Sequence, residues 1–101
     1  MTEKRKHQRV ALGSTVRCFV DQELVAEGLG RDLSLGGVFV ECAVPLGFGQ
    51  KLQVDLTIEN VQLRLPAVVR WSTEEGMGLQ FGLLGARETH AILRLLKKSA
   101  S

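Results

Sequence analysis

A strict alternation of apolar and polar residues between positions 52 and 59 constrains the fold of this chain more than any other feature. Leu52, Val54, Leu56 and Ile58 would face one side of an extended segment, and the polar residues between them would face the other. Further strand-like segments, each bounded by turn formers, follow one another along the chain: 16–20, 24–30, 38–42, 61–65, 67–71 and 77–81. Short strands at this spacing predict a small antiparallel barrel, either closed or sandwich-like.

Glycine and proline predict where two of these strands are interrupted. The second strand is expected to end at Gly28 or Gly30, and either residue could form a bulge. Pro66 has no N–H to donate to a strand ladder, so its segment is expected at an edge of the sheet or at a bulge. The segment 38–42 is mostly apolar on both faces, which favours a central position.

The last part of the chain has helical periodicity. Residues 86–98 contain no glycine or proline, and Ile92, Leu95 and Leu96 recur at helical spacing, with Leu93 widening the apolar stripe. We therefore predict a short amphipathic helix that packs on the sheet.

Length and charge limit the classes of function. A chain of 101 residues is expected to form one domain, with a flexible basic arm at 1–9 and a barrel with its helix at 10–98. Thirteen basic and 11 acidic residues give a net charge of +2, too mild for nonspecific nucleic-acid binding. No tyrosine and only four phenylalanines offer little surface for base stacking, so neither DNA nor RNA is expected as a partner. No apolar run could form a leader or span a bilayer, so we expect a cytoplasmic protein rather than a membrane protein.

Residue types suited to catalysis or metal binding do not cluster in this sequence. Cys18 and Cys42 lie on predicted strands, where reduced and buried thiols are expected, although a disulfide between them is left open. His7 and His90 are isolated, and the patterns of a nucleophile elbow and of a phosphate-binding glycine loop are both missing. We therefore expect no enzymatic activity, no metal and no cofactor.

Two short polar motifs are the strongest functional signal. The first, R-x-x-x-R, runs from Arg5 to Arg9, and the second, D-x-S-x-x-G, contains Asp32, Ser34 and Gly37. The two arginines would share one side of the arm, whether helical or extended, and could bind one anion. Asp and Ser side chains could bind a guanine edge, and glycine would allow a positive φ or a close backbone approach. The plainer alternatives are a solvated tail for the first motif and a turn for the second.

The only tryptophan, Trp71, lies at the end of a predicted strand. It is either a core or rim aromatic, or a lid that stacks on a base, a contact worth about 1–3 kcal/mol. The preceding residue, Arg70, is interpreted as a surface charge rather than as a ligand contact.

In this order, with a strand-sized segment and a turn between them, the two motifs resemble the signature of the PilZ domain, a bacterial receptor for cyclic di-GMP. Residues 69–71 and 78–81 resemble the late-strand pattern of that family. The resemblance implies a mainly β fold, namely a six-stranded antiparallel β-barrel of the split-barrel type with a C-terminal α-helix.

The resemblance also implies a set of ligand-binding residues. Arg5 and Arg9 would bind phosphate and guanine, Asp32 and Ser34 would bind guanine, and Gly37 would shape the turn. Three further contacts extend this set: Gly36, Trp71 and Lys4. Many family members have arginine where this chain has Lys4, so binding of one ligand molecule or of an intercalated pair is left open.

These implications lead to one expected function and two alternatives. The expected function is that of a standalone receptor that binds cyclic di-GMP and signals to a separate, unidentified partner protein, with a homodimer left open. The first alternative is a ligand-independent adaptor on the same fold. The second is a small RNA-binding barrel, which would bind with a steep salt dependence and little discrimination among nucleotides.

Overall fold

Six antiparallel strands close into one barrel, and one helix follows them, within residues 10–100. The structure is a computed structural model that describes these residues, with side chains up to residue 98. In chain order the elements are β1 (Thr15–Val20), β2 (Glu23–Arg31), β3 (Gly37–Glu41), β4 (Lys51–Ile58), β5 (Val61–Ser72), β6 (Gly76–Phe81) and α1 (Ala86–Ala100). Around the barrel the order is β1-β2-β3-β6-β5-β4, and β4 pairs with β1 to close it. The predicted six-stranded barrel with a C-terminal helix is confirmed, and β3 lies between two strands as its apolar faces indicated.

The interior of the barrel is filled by the apolar half of the alternating pattern. The four apolar residues predicted to share one face of β4 are between 0 and 6% exposed, because successive side chains of a strand point to opposite faces. Helix α1 packs against β4 and β5 and buries Ile92 and Leu96. Leu93 is 46% exposed, so the apolar stripe of the helix is narrower than predicted. No helix in the described part of the chain is both long and apolar enough to cross a bilayer.

Strand β5 runs without a break through Pro66, and the predicted edge or bulge at this residue is wrong. Pro66 stands opposite Gln53 of β4, and its carbonyl oxygen accepts a hydrogen bond from the Gly82 N–H at 2.9 Å. The N and O of one residue in an antiparallel ladder point toward the same neighbour. The N–H that Pro66 lacks would therefore have pointed toward the end of β6. No hydrogen bond between β5 and β4 is lost.

Both irregularities in strand pairing lie at residues other than the predicted ones. Between β1 and β2 the register shifts at Val25, and between β5 and β6 it shifts at Arg70. Gly28 and Gly30 are neither bulges nor strand ends, since β2 continues to Arg31. Gly28 instead allows a close approach, because a Cβ there would collide with the carbonyl oxygen of Glu41 on β3.

The two cysteines are free thiols, as predicted for reduced side chains, and they differ in burial. Cys18 faces the barrel interior with no exposed surface, and this burial raises the pKa of its thiol to about 12. Cys42 is only half-buried, and burial raises its pKa as well. A raised pKa leaves little of the reactive thiolate at neutral pH, so Cys18 acts as a small apolar core residue.

Candidate ligand-binding cleft

A shallow cleft of about 540 Å³ crosses the outer surface of the barrel over β3, β6 and β5. Its lining includes five of the residues that sequence reasoning proposed for the site: Asp32, Ser34, Gly36, Gly37 and Trp71. Strand pairing explains why distant segments meet there, since Gly37 pairs with Gln80 and Gln80 pairs with Val68. Lys4, Arg5 and Arg9 lie outside the described residues. Contact between any of these eight residues and a ligand stays a prediction.

The segment between β2 and β3 is anchored by Leu33, whose side chain is completely buried in the core. Asp32 on one side of it is exposed and has a φ of 50°, in the left-handed region that aspartate tolerates better than most residues. Ser34 on the other side is only 8% exposed. A buried leucine therefore fixes the positions of both polar motif residues at the mouth of the cleft.

Hydrogen bonds within the motif confirm that it forms a turn. The N–H of Ser34 donates to the carbonyl oxygen of Gly37 at 2.9 Å, and the N–H of Gly36 donates to the hydroxyl oxygen of Ser34 at 3.1 Å. A serine hydroxyl that accepts a hydrogen bond still has its own proton to donate. The turn and the predicted ligand contact are therefore compatible uses of the same side chain.

Gly37 is required by the close approach of β3 and β6. A Cβ at this position would collide with the carbonyl oxygen of Leu79. Gly37 does not have a positive φ. Of the two reasons predicted for a glycine here, a positive φ and a close backbone approach, only the close approach therefore applies.

Trp71 forms the rim of the cleft and is not part of the core. It stands opposite Gly78 on β6, and its indole lies so close over this glycine that a Cβ there would collide with the ring. The side chain is still 51% exposed. The indole thus packs on the backbone of Gly78, and the exposed part of the ring stays accessible to a planar ligand.

Arg70 is a lining residue that sequence reasoning did not assign to the site. It is exposed, as predicted for a surface charge, but it also lines the cleft next to Trp71. The irregular pairing at Arg70 is the cause, because a bulge re-aims side chains that regular alternation would turn to opposite faces. The alternation of apolar and polar residues in this part of the sequence does not indicate a bulge. Phe39 and Gln80 were also missed as lining residues.

The beginning of the described chain lies directly beside the motif. Val10 and Leu33 form an isolated antiparallel bridge, with N–O distances of 2.9 Å from Val10 to Leu33 and 2.6 Å in return. Leu33 is the residue between Asp32 and Ser34. The chain therefore enters the fold at the cleft.

Comparison with known proteins agrees with this architecture. A model of the PilZ domain family matches residues 3–98, which is nearly the whole chain. The chain belongs to the PilZ domain family. The fold of this PilZ domain is similar to the PilZ domain of CeSA from a cellulose-synthesizing bacterium, with a TM-score of 0.72 and 19% identity over 92% of this chain and 98% of that one. No curated protein matches the chain.

A second similar structure is the Bacillus subtilis inhibitor of motility, MotI/DgrA. Its TM-score is 0.80 at 21% identity, and the alignment covers 98% of this PilZ domain and 52% of the inhibitor. The chain thus spans about half the length of that protein. At these identities the similarity supports the fold alone and not the chemistry of the cleft. Within the described residues no group of three histidine, cysteine, aspartate or glutamate side chains could hold a metal ion.

Proposed function

We propose that this PilZ domain is a receptor for cyclic di-GMP that passes its binding state to a partner protein. The observation that carries the proposal is the bridge between Val10 and Leu33, because it brings the residue that follows the R-x-x-x-R motif beside the D-x-S-x-x-G motif at the cleft. Cyclic di-GMP offers two guanine bases and two phosphate charges. The bases need hydrogen-bonding and stacking partners in the site, and the phosphates need positive charge.

The described walls of the cleft suit a guanine base. A carboxylate such as that of Asp32 accepts hydrogen bonds from the N1–H and N2–H donors of guanine, and the Ser34 hydroxyl can donate or accept. Trp71, seated on Gly78, offers an indole face for stacking, which is worth about 1–3 kcal/mol per base. Hydrogen bonds to the guanine edge and stacking on its ring together would distinguish guanine from other bases.

The phosphate charges require the basic arm. Among the described lining residues, the guanidinium of Arg70 is offset by the carboxylate of Asp32, so these walls have little net charge. Arg9 is bonded directly to Val10, and consecutive Cα atoms are about 3.8 Å apart. This bond keeps Arg9 within one residue of the bridge beside the cleft, and a guanidinium group can make bidentate hydrogen bonds to phosphate oxygens.

Isothermal titration with cyclic di-GMP, with GTP as the control, tests this proposal. We expect saturable binding of cyclic di-GMP in the micromolar range or tighter, and no comparable binding of GTP. The same titration reports the stoichiometry that Lys4 leaves open. The absence of heat with cyclic di-GMP would contradict the receptor function. Capture of the same partner with and without the nucleotide would then favour the ligand-independent adaptor.

Replacement of Asp32 by glycine separates ligand binding from turn formation. Glycine accepts the φ of 50° at this position without strain, so the variant should stay as stable as the wild type. Affinity for cyclic di-GMP should fall roughly five- to tenfold, because water replaces the lost carboxylate only in part. Titration and thermal melting of the same sample measure the two effects.

Asp21 provides a matched control for this substitution. It is also an exposed aspartate, with a φ of 51°, but it lies in the turn between β1 and β2 and does not line the cleft. Asp21→Gly should change neither stability nor affinity by much. Equal affinities for the two variants would mean that Asp32 only forms the turn.

A further inference from the structure

Arg70 connects the cleft to the neighbouring loop between β3 and β4, residues 42–50. Its guanidinium carbon lies 6.0 Å from the centroid of the Phe48 ring, within the range of a cation–π contact. The same side chain lines the cleft beside Trp71. One flexible cation therefore has two alternative partners, an aromatic ring on one side and any anion in the cleft on the other.

The loop presents Phe48 between two anchor points. On one side the carbonyl oxygen of Leu46 accepts a hydrogen bond from the Ser72 hydroxyl. On the other side the N–H of Gly49 donates to the carbonyl oxygen of Val69 at 2.8 Å. Phe48 itself is 75% exposed. Because the backbone is held on both sides, a change in the Arg70 contact would affect the Phe48 side chain without requiring the loop to unfold.

We propose that Arg70 binds the ligand in the cleft and that Phe48 competes with the ligand for its guanidinium. This inference rests on the proposed receptor function and adds a residue and a readout to it. A charge-assisted hydrogen bond to a phosphate is stronger than an exposed cation–π contact, so the ligand wins the competition. Phe48 lowers the affinity by holding Arg70 in an arrangement that cannot bind, as any competing state of a receptor does.

The competition couples an occupied cleft to a change on the protein surface. When Arg70 turns toward a phosphate, the ring of Phe48 loses its cation–π partner. Ligand binding would therefore change the contacts of an exposed aromatic side chain that does not itself line the cleft.

A double-mutant cycle measured by titration with cyclic di-GMP tests the competition. Phe48→Ala should raise the affinity roughly two- to sixfold, because the alternative partner of Arg70 is gone. Phe48→Leu should give the same gain, since it keeps an apolar side chain but removes the aromatic face. Arg70→Gln should lower the affinity, and adding Phe48→Ala to that variant should produce no gain.

Controls and thermal melts accompany the cycle. Val44→Ala changes an exposed apolar residue of the same loop, and Arg87→Gln removes an exposed arginine of α1 that does not line the cleft, so both should leave the affinity unchanged. Phe48 and Arg70 are exposed, so their variants should melt like the wild type.

The outcomes that would overturn the inference also show whether the receptor function fails with it. If the wild type does not bind cyclic di-GMP, the receptor function and the inference fail together. If the wild type binds but Phe48→Ala and Phe48→Leu bind no tighter, the receptor function stands and the competition is refuted. A gain that persists in the Arg70→Gln background would also refute it, because the loop would then act without Arg70.

Discussion

Replacement of Arg9 by alanine is expected to weaken the binding of cyclic di-GMP roughly ten- to hundredfold. A hydrogen bond that involves a charged group contributes about 1.5–3 kcal/mol, and alanine removes the guanidinium that makes it. Lys6→Ala removes the same formal charge from the same arm but no residue of the R-x-x-x-R motif, so its effect should be much smaller. Titration of both variants under one salt condition measures the difference.

The comparison of Arg9 with Lys6 distinguishes recognition by the motif from attraction by diffuse charge. The total charge of the chain is equal in the two variants, so a long-range electrostatic effect should be nearly equal as well. Small and equal losses would therefore contradict the role of the motif. They would leave the basic arm as a general attractor of anions.

Replacement of Gly37 by alanine is expected to lower the free energy of unfolding by about 1–3 kcal/mol, the usual cost of overpacking. The new Cβ would collide with the carbonyl oxygen of Leu79, which belongs to the backbone of β6 and cannot turn away as a side chain could. The pairing of β3 with β6 would have to shift. Urea denaturation of the variant and the wild type measures the loss.

Gly47 provides the control for this prediction. It lies in the exposed loop between β3 and β4, and a Cβ there would meet no atom within 4 Å. Gly47→Ala should therefore leave stability unchanged or raise it slightly, through the lower entropy of the unfolded chain. If Gly37→Ala were as stable as Gly47→Ala, the glycine of the motif would not be needed for strand packing.

Most of the fold could be predicted because its causes are local. The alternation in β4 identifies one buried face from sequence alone, and the helical spacing of Ile92 and Leu96 does the same for α1. Pro66 was misjudged because the cost of a missing N–H depends on which neighbour it faces. That neighbour is known only once β5 has been placed between β4 and β6.

The residues of the candidate site also divide into those with a local signal in the sequence and those placed by long-range pairing. Asp32, Ser34 and Gly37 could be proposed because they form a short motif that, together with the arginines of the arm, resembles the signature of the PilZ family. Arg70 could not, because it reaches the cleft through a bulge defined by its pairing with another strand. The bridge between Val10 and Leu33 was also unforeseen, since it is a single long-range pair without any local pattern.

The closed barrel also limits how a partner protein can recognise this domain. Open sheets often bind a partner by adding its strand to a free edge, where backbone N–H and C=O groups await pairing. Here each of the six described strands has a neighbour on both sides, so β-augmentation is limited to stretches beyond these ladders, such as the part of β2 before Leu29, which does not pair with β3. Elsewhere a partner would recognise the outward-facing side chains. Its specificity would therefore depend on which residues decorate the outside of the strands and loops, and surface substitutions could change it while the hydrogen-bonded framework stays intact.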